Sequence, residues 1–339
     1  MARDVEVTAV APGRVNLIGD HTDTTGGLVL PLAVDLETTV TGARGGDIVM
    51  LSSETEPEPA RIPLDVVDPR SVEPPWARYI AGVVTQLRPT SGFTGRVATT
   101  VPVGAGLSSS AALEVSVALA LGFEGSQREL AQLCQRAEQT ASGVPCGVMD
   151  QLASAAGVAG HALLIDCHTL HIEPVPIPDG VEIRVVHSGE ARSLTGSAYA
   201  ERTASLHAVE EIVGPLRLVR EVAGLGELDD RKTVQLHRRA RHVVSENRRV
   251  REAAAALRVR DLDEAGRLMI ESHRSLRDDF EVSTPGLDAL VDRLTAMPGV
   301  YGARLTGAGF GGCVVALTVP GTLDEGWAVT ASAGARTRR

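Results

Sequence analysis

Alternation of apolar and polar residues dominates the first half of the chain. The runs VEVTAV, TTVTG, DIVMLS and RVATTVPV, each bounded by turn-forming residues, predict β-strands. Between them, WARYIAGVVTQL at 76–87 repeats its apolar positions at helical spacing. QRELAQLCQRAEQTASG at 127–143 does so again, until Gly143 and Pro145 stop it. The stretch at 53–75, SETEPEPARIPLDVVDPRSVEPP, is so polar and so often broken by proline that it predicts a surface excursion. Beyond residue 180 the pattern changes to longer, charged amphipathic helices and one late glycine-rich strand region. Asp261 stands three residues before Glu264 in capping-box spacing, and Pro285 opens a helix that Pro298-Gly299 should end. The change of pattern between 170 and 185 divides the chain into 1–178 and 179–339.

Composition agrees with two globular units: 339 residues, of which 43% are hydrophobic and 22% charged. A net charge of −10 argues against a nucleic-acid partner, and HRRARH at 237–242 is expected to be the solvated face of a helix. No apolar run approaches the roughly 18 residues that a membrane span needs, so no membrane partner is expected. The N-terminus has no apolar signal core, and Cys134, Cys146, Cys167 and Cys313 form no CxxC pair. Both point to a reduced, cytoplasmic protein without structural zinc.

Three segments carry candidate chemistry. APGRVNLIGDHTDTTGGLVLP at 11–31 sets Arg14, Asp20, His21 and Asp23 among apolar residues, where charge is costly unless paired or used. VPVGAGLSSSAALEVSVALALG at 101–122 is a Gly-x-Gly turn, three serines and then an apolar helix. Such a helix start favours an anion, although the run lacks a Walker A lysine and alone fits a serine-capped core helix equally well. LTGAGFGGCVVALTV at 305–319 is a second glycine-rich turn leading into a buried strand.

In this order and spacing the three segments resemble the motifs of the GHMP kinases and, within them, the galactokinases. GRVNLIGDHTDTTGG is similar to the galactokinase signature, GLSSSAA to the nucleotide motif, and GVPCGVMDQLAS at 143–154 to the segment with the catalytic aspartate. HALLIDC, SLTGSAYAER, SHRSLRDDFEVSTPGLD and LTGAGFGGC extend the likeness over roughly residues 11–318. The resemblance implies an α/β and α+β two-domain fold: an N-terminal domain of ribosomal S5 domain 2-like type and a C-terminal ferredoxin-like domain, with the site between them. It implies a galactose 1-kinase using ATP and Mg²⁺, with a sugar and ATP as partners, acting as a monomer or weak homo-oligomer. By position, Asp150 is the catalytic carboxylate and Arg14 its partner. Asp20, His21, Asp23, Gly147 and Tyr199 would contact the sugar. Ser53, Trp76, Gly104, Gly106, Leu107, Ser108, Ser109 and Ser110 would bind ATP, and Ser110 with Glu138 would hold the metal.

The chain departs from this pattern in places. Asp20 replaces the usual glutamate that reaches the C6 end of galactose, Thr24-Thr25 replaces Tyr-Asn, and Ala200 stands where asparagine is common. These smaller side chains leave open an anomeric kinase for a C6-modified or longer aldose. A non-catalytic sugar and ATP sensor is the alternative of a different class, and the intact GLSSSAA and Asp150 speak against it. After VVALTVP the family's usual further helix is missing, which predicts a bare edge on the second domain.

Overall fold

The chain was described from a computed structural model covering residues 6–191, 196–225 and 234–338; Ser193, Leu194 and Thr195 of the SLTGSAYAER motif lie outside these. The first part of the chain forms β1 (Glu6–Asn16), β2 (Leu28–Val29), β3 (Pro31–Arg44), β4 (Ile48–Ser53) and β5 (Ala60–Pro63). It continues through α1 (Ala77–Leu87), β6 (Phe93–Thr99), α2 (Ser109–Ala120), α3 (Gln127–Ser142), α4 (Met149–Ala156), β7 (His161–Asp166) and β8 (His171–Pro176). The second part contains β9 (Glu182–His187), α5 (Gly196–Val213), α6 (Val234–Arg258), α7 (Leu262–Asp278), α8 (Pro285–Thr295), β10 (Val300–Thr306), β11 (Cys313–Thr318), β12 (Trp327–Val329) and β13 (Arg336–Arg338).

Helix ends follow local chemistry. α3 begins with a complete capping box between Ser126 and Glu129 and ends at Gly143, whose φ of 73° suits glycine. Asp261 caps α7 by accepting from the Glu264 N–H at 3.0 Å, but the box is not closed, because the Glu264 carboxylate turns to Arg267. Thr284 and Pro285 start α8, which stops at Thr295, short of Pro298.

The strands make three sheets. A six-stranded sheet runs β13-β1-β3-β6-β4-β5, with β4 and β6 parallel and its other pairs antiparallel. An antiparallel four-stranded sheet runs β10-β11-β9-β12, and β2-β7-β8 form a small third one. α1 to α4 close the first core through Ile80, Val84, Val115, Leu130 and Leu152 against Val40, Leu51 and Phe93. β11 is buried throughout and apolar up to its last residue, Thr318, because both faces are covered. Cys313, Val315 and Leu317 enter a core shared with Val15, Ile18 and Leu30 of the first part, whereas Val314 and Ala316 pack among Leu276, Leu287 and Leu294.

Three expectations are corrected. The 53–75 stretch is not all surface excursion: β5 lies within it, with Ala60 and Ile62 fully buried. As the edge strand it pairs on one side only, which tolerates nearby prolines. HRRARH is not simply a solvated face, since Arg239 and His242 are buried. Arg239 pairs with Glu201 at 2.6 Å, and His242 bridges Ser275 Oγ and the Asp20 carbonyl at 3.0 and 3.1 Å. The edge of the second sheet beyond β9 is not bare, because β12 pairs there.

The chain then returns to its first part. Ser332 N–H donates to Ala33 O, Gly334 N–H to Gly157 O and Ala335 N–H to Ser154 O, after which β13 joins β1. A division at 178 therefore leaves one strand of the first sheet in the second segment. Among the described residues no helix is long and apolar enough to cross a membrane.

Candidate functional site

A cavity of about 520 Å³ opens where the ends of β1, α2, α3 and α4 meet α5 and the turn after β10. The register of β1 on β3 breaks between Pro12 and Arg14, which re-aims Arg14 into this space. Arg14 is almost fully buried and grips Asp150 as a fork, with Nε to Oδ1 at 2.7 Å and Nη2 to Oδ2 at 2.6 Å. Its third donor, Nη1, is spent on the Gly106 carbonyl at 2.7 Å. Asp150 sits in the first turn of α4, where the helix dipole favours a negative charge.

The glycine-serine loop wraps over this pair. Gly104 and Gly106 take φ of 77° and 84°, and a Cβ on Gly104 would meet nothing, so the backbone there is open to a ligand. The three serines diverge. Ser108, the N-cap of α2 with φ of 55°, does not cap the helix but donates to Asp150 Oδ2. Ser109 faces the cavity, and Ser110 donates to Glu138 Oε1 at 3.0 Å. The side chain of Leu107, within the same loop, is fully buried in the core, and its carbonyl accepts from Arg14 N–H, so any contact it makes with a ligand would come from its backbone.

Ser110 and Glu138 present hard oxygens on facing helices, and burial, followed by the charge of Asp150, pushes the Glu138 carboxyl up to about 7. A half-buried carboxylate whose ionised form lacks a full positive partner, beside a hydroxyl, fits a divalent cation that completes its shell with water and phosphate. Behind it lie two residues that reading the sequence did not single out, Gln151 and Glu114, both fully buried. Gln151 Nε2 donates to Glu138 Oε2 and, at 3.3 Å, to Glu114 Oε2. The signal for Glu114 was present: it is the one charge in an otherwise apolar helix.

At the other end of the cavity are Asp20, His21, Asp23, Gly147 and Tyr199. His21 packs its ring 4.5 Å from Phe280 and 5.6 Å from Tyr199, and burial holds it well below the ordinary histidine value, so it is a neutral imidazole. Its buried Nε2 has no protein partner. A Cβ on Gly147 would lie 2.0 Å from Asp23 Oδ2, so only glycine lets Asp23 sit there. Asp20 lines the cavity and also has protein partners at both its oxygens. Oδ1 accepts from Gly307 N–H at 2.9 Å, while Oδ2 accepts from Asn16 Nδ2 at 3.0 Å and pairs with the fully buried Arg304. Ser53 and Trp76 also border the cavity, Ser53 sharing a hydrogen bond with Thr55 and the Trp76 indole donating to Glu58 O at 3.1 Å.

Asp23 is pushed up to about 7, first by burial and then by the charges of Asp150 and Asp20, from an ordinary value of 3.8. A carboxyl with a higher pKa folded than unfolded keeps its proton longer in the folded chain. Its stabilising effect is therefore lost as pH rises through the folded value. The stability of Asp23→Asn relative to the parent should rise between about pH 4 and about pH 7 and level off above that in thermal melts without ligand. A difference independent of pH would contradict this.

The chain was compared with known proteins. Residues 2–44 match the galactokinase galactose-binding signature, 78–158 the GHMP kinases N terminal domain and 253–326 the GHMP kinases C terminal domain. It is 47% identical to the galactokinase of Homo sapiens over 330 residues, covering 92% of this chain and 83% of that one. The chain belongs to the galactokinase family. The galactokinase of Roseiflexus sp. (strain RS-1) is 46% identical over 324 residues, covering 91% of this chain and 82% of that protein. The structure of Lactococcus lactis galactokinase complexed with galactose superposes with a TM-score of 0.88 at 31% identity, covering 98% of this chain and 95% of that one. The mevalonate kinase of Methanococcus jannaschii, at 21% identity and a TM-score of 0.68 with 93% and 92% coverage, shares the GHMP kinase fold.

Proposed function

We propose that this galactokinase-family chain transfers the γ-phosphoryl group of ATP to the C1 hydroxyl of galactose, giving galactose 1-phosphate and ADP, in the cytoplasm. The observation that carries the reading is the Arg14–Asp150 fork, set between an acidic pocket and a glycine-serine loop. Asp23, His21, Gly147 and Tyr199 form the sugar side. The loop residues Gly104, Gly106, Ser108, Ser109 and Ser110 lie on the phosphate side, with Ser53 and Trp76 towards the nucleoside.

In the step itself, the C1 oxygen forms a bond to the γ-phosphorus as the bond to the β-bridging oxygen breaks, and ADP carries away that electron pair. Asp150 takes the hydroxyl proton and orients the nucleophile. Arg14 holds the carboxylate plane fixed and offsets negative charge on the transferring group. A Mg²⁺ ion held by Ser110 and Glu138 would neutralise phosphate charge when bound. Gly147→Ala tests the sugar side: the displaced Asp23 should lower kcat/KM for sugar on the order of 10²-fold while leaving KM for ATP nearly unchanged.

A second reading keeps the reaction and changes the sugar to a C6-modified or longer aldose. It is favoured by Asp20, a short acid drawn into its own protein partners. ADP release measured across galactose, a C6-modified galactose, a heptose and an octose decides. The highest kcat/KM for galactose supports the first reading, a longer sugar ahead of it supports the second, and no turnover of any aldose rejects both.

A further inference from the structure

Gln151 follows Asp150 on α4, and both hydrogens of its amide point at carboxylates, Glu138 on α3 and Glu114 on α2. Two acids on separate helices, the fully buried Glu114 and the half-buried Glu138, thus share one neutral donor. Among the described residues, Glu114 Oε1 and Gln151 Oε1 are buried without a hydrogen-bond partner, an arrangement that costs stability. A methionine or leucine pair would fill the same space at lower cost, so the polar cluster points to a use. A lysine in place of Gln151 would cancel the charge of Glu138. The amide fixes the carboxylate and leaves its charge available. Because Oε2 of Glu138 is taken by Gln151, Oε1 is the oxygen left beside Ser110.

We propose that Gln151, backed by Glu114, is the positioning residue for the cation-binding carboxylate, holding Glu138 by Oε2 so that Oε1 and Ser110 Oγ face the divalent ion that accompanies ATP. This rests on the kinase reading above. Partners behind a metal ligand typically control about 10–100-fold of metal affinity. Asp150 and Gln151 are consecutive, so one turn of α4 fixes the proton acceptor and the ion's carboxylate together.

The test is Mn²⁺ binding in the presence of ADP, read by electron paramagnetic resonance, which needs no turnover. Gln151→Met keeps size and removes the donor. It should raise the Mn²⁺ Kd about tenfold or more and raise the Mg²⁺ midpoint of turnover in parallel, with KM for galactose within about twofold. Glu114→Ala should weaken Mn²⁺ in the same direction and Glu114→Gln should restore it, an arm that stands even if Gln151→Met fails to fold. Mn²⁺ affinity within about twofold of the parent in folded Gln151→Met, or in Glu114→Ala, overturns the proposal. So does an equal rise in KM for galactose, which marks a merely structural role. If the parent chain phosphorylates no sugar, the kinase reading falls while the Mn²⁺ measurement still decides for or against Gln151.

Discussion

Asp150→Asn is expected to lower kcat for sugar phosphorylation by about 10³-fold, within the range that a positioned general base supplies. Both carboxylate oxygens are held by Arg14, and Ser108 adds a third donor to Oδ2, so the proton acceptor is fixed before any substrate arrives. Asparagine has nearly the same shape but cannot accept the proton. It also turns an N–H towards the Arg14 fork, where it repels. Arg14 keeps the Gly106 carbonyl as a partner, and the Asp150 side chain is 28% exposed, so the loss should fall on turnover rather than on folding. Steady-state kinetics beside a circular dichroism melt check this. Turnover within about tenfold of the parent would remove Asp150 from the role of base.

Arg304→Met is expected to cost about 3–5 kcal/mol of stability, because it strips a buried carboxylate of the cation it pairs with directly. Arg304 is fully buried on β10, and besides pairing with Asp20 it donates to the carbonyls of Asn16 and Leu17 at 3.4 and 3.2 Å. It therefore joins the end of β1 to the second sheet beside the sugar end of the cavity. Burial drives the Asp20 carboxyl up, and the charges of Arg304 and, to a lesser degree, Arg14 oppose this, so loss of Arg304 removes the larger part of that compensation. Removing the acid as well should recover part of the loss. The double variant Asp20→Asn with Arg304→Met should be more stable than Arg304→Met alone in urea titrations. Strict additivity of the two changes would mean that the residues do not act as a pair.

Much of this site was legible in the sequence because its elements are local. Glycines at positive φ and serines before an apolar helix each declare themselves within a few residues. What stayed hidden depends on partners far away. Asp20 reads as an acid beside the sugar, and only the fold shows that Gly307, 287 residues later, and Arg304 also bind its oxygens. His242 and Arg239 read as solvated charges until α5 and α7 supply Glu201 and Ser275. Leu107 lies within the glycine-serine loop, and spacing alone does not show that its side chain turns to the core. Glu114 stands out as a lone charge in an apolar helix, but its link to Gln151 stays hidden, since nothing in the sequence says that two helices converge on one amide.

The central claim is phosphorylation of an anomeric oxygen by this cavity. The most direct measurement is the phosphorus and proton magnetic resonance of the product formed from ATP and galactose labelled with ¹⁸O at C1. The account predicts a sugar phosphate whose phosphorus couples to the anomeric proton, with the label retained in the bridge between C1 and phosphorus. Phosphate on any other carbon, loss of the label, or ADP and inorganic phosphate without a sugar phosphate would contradict it.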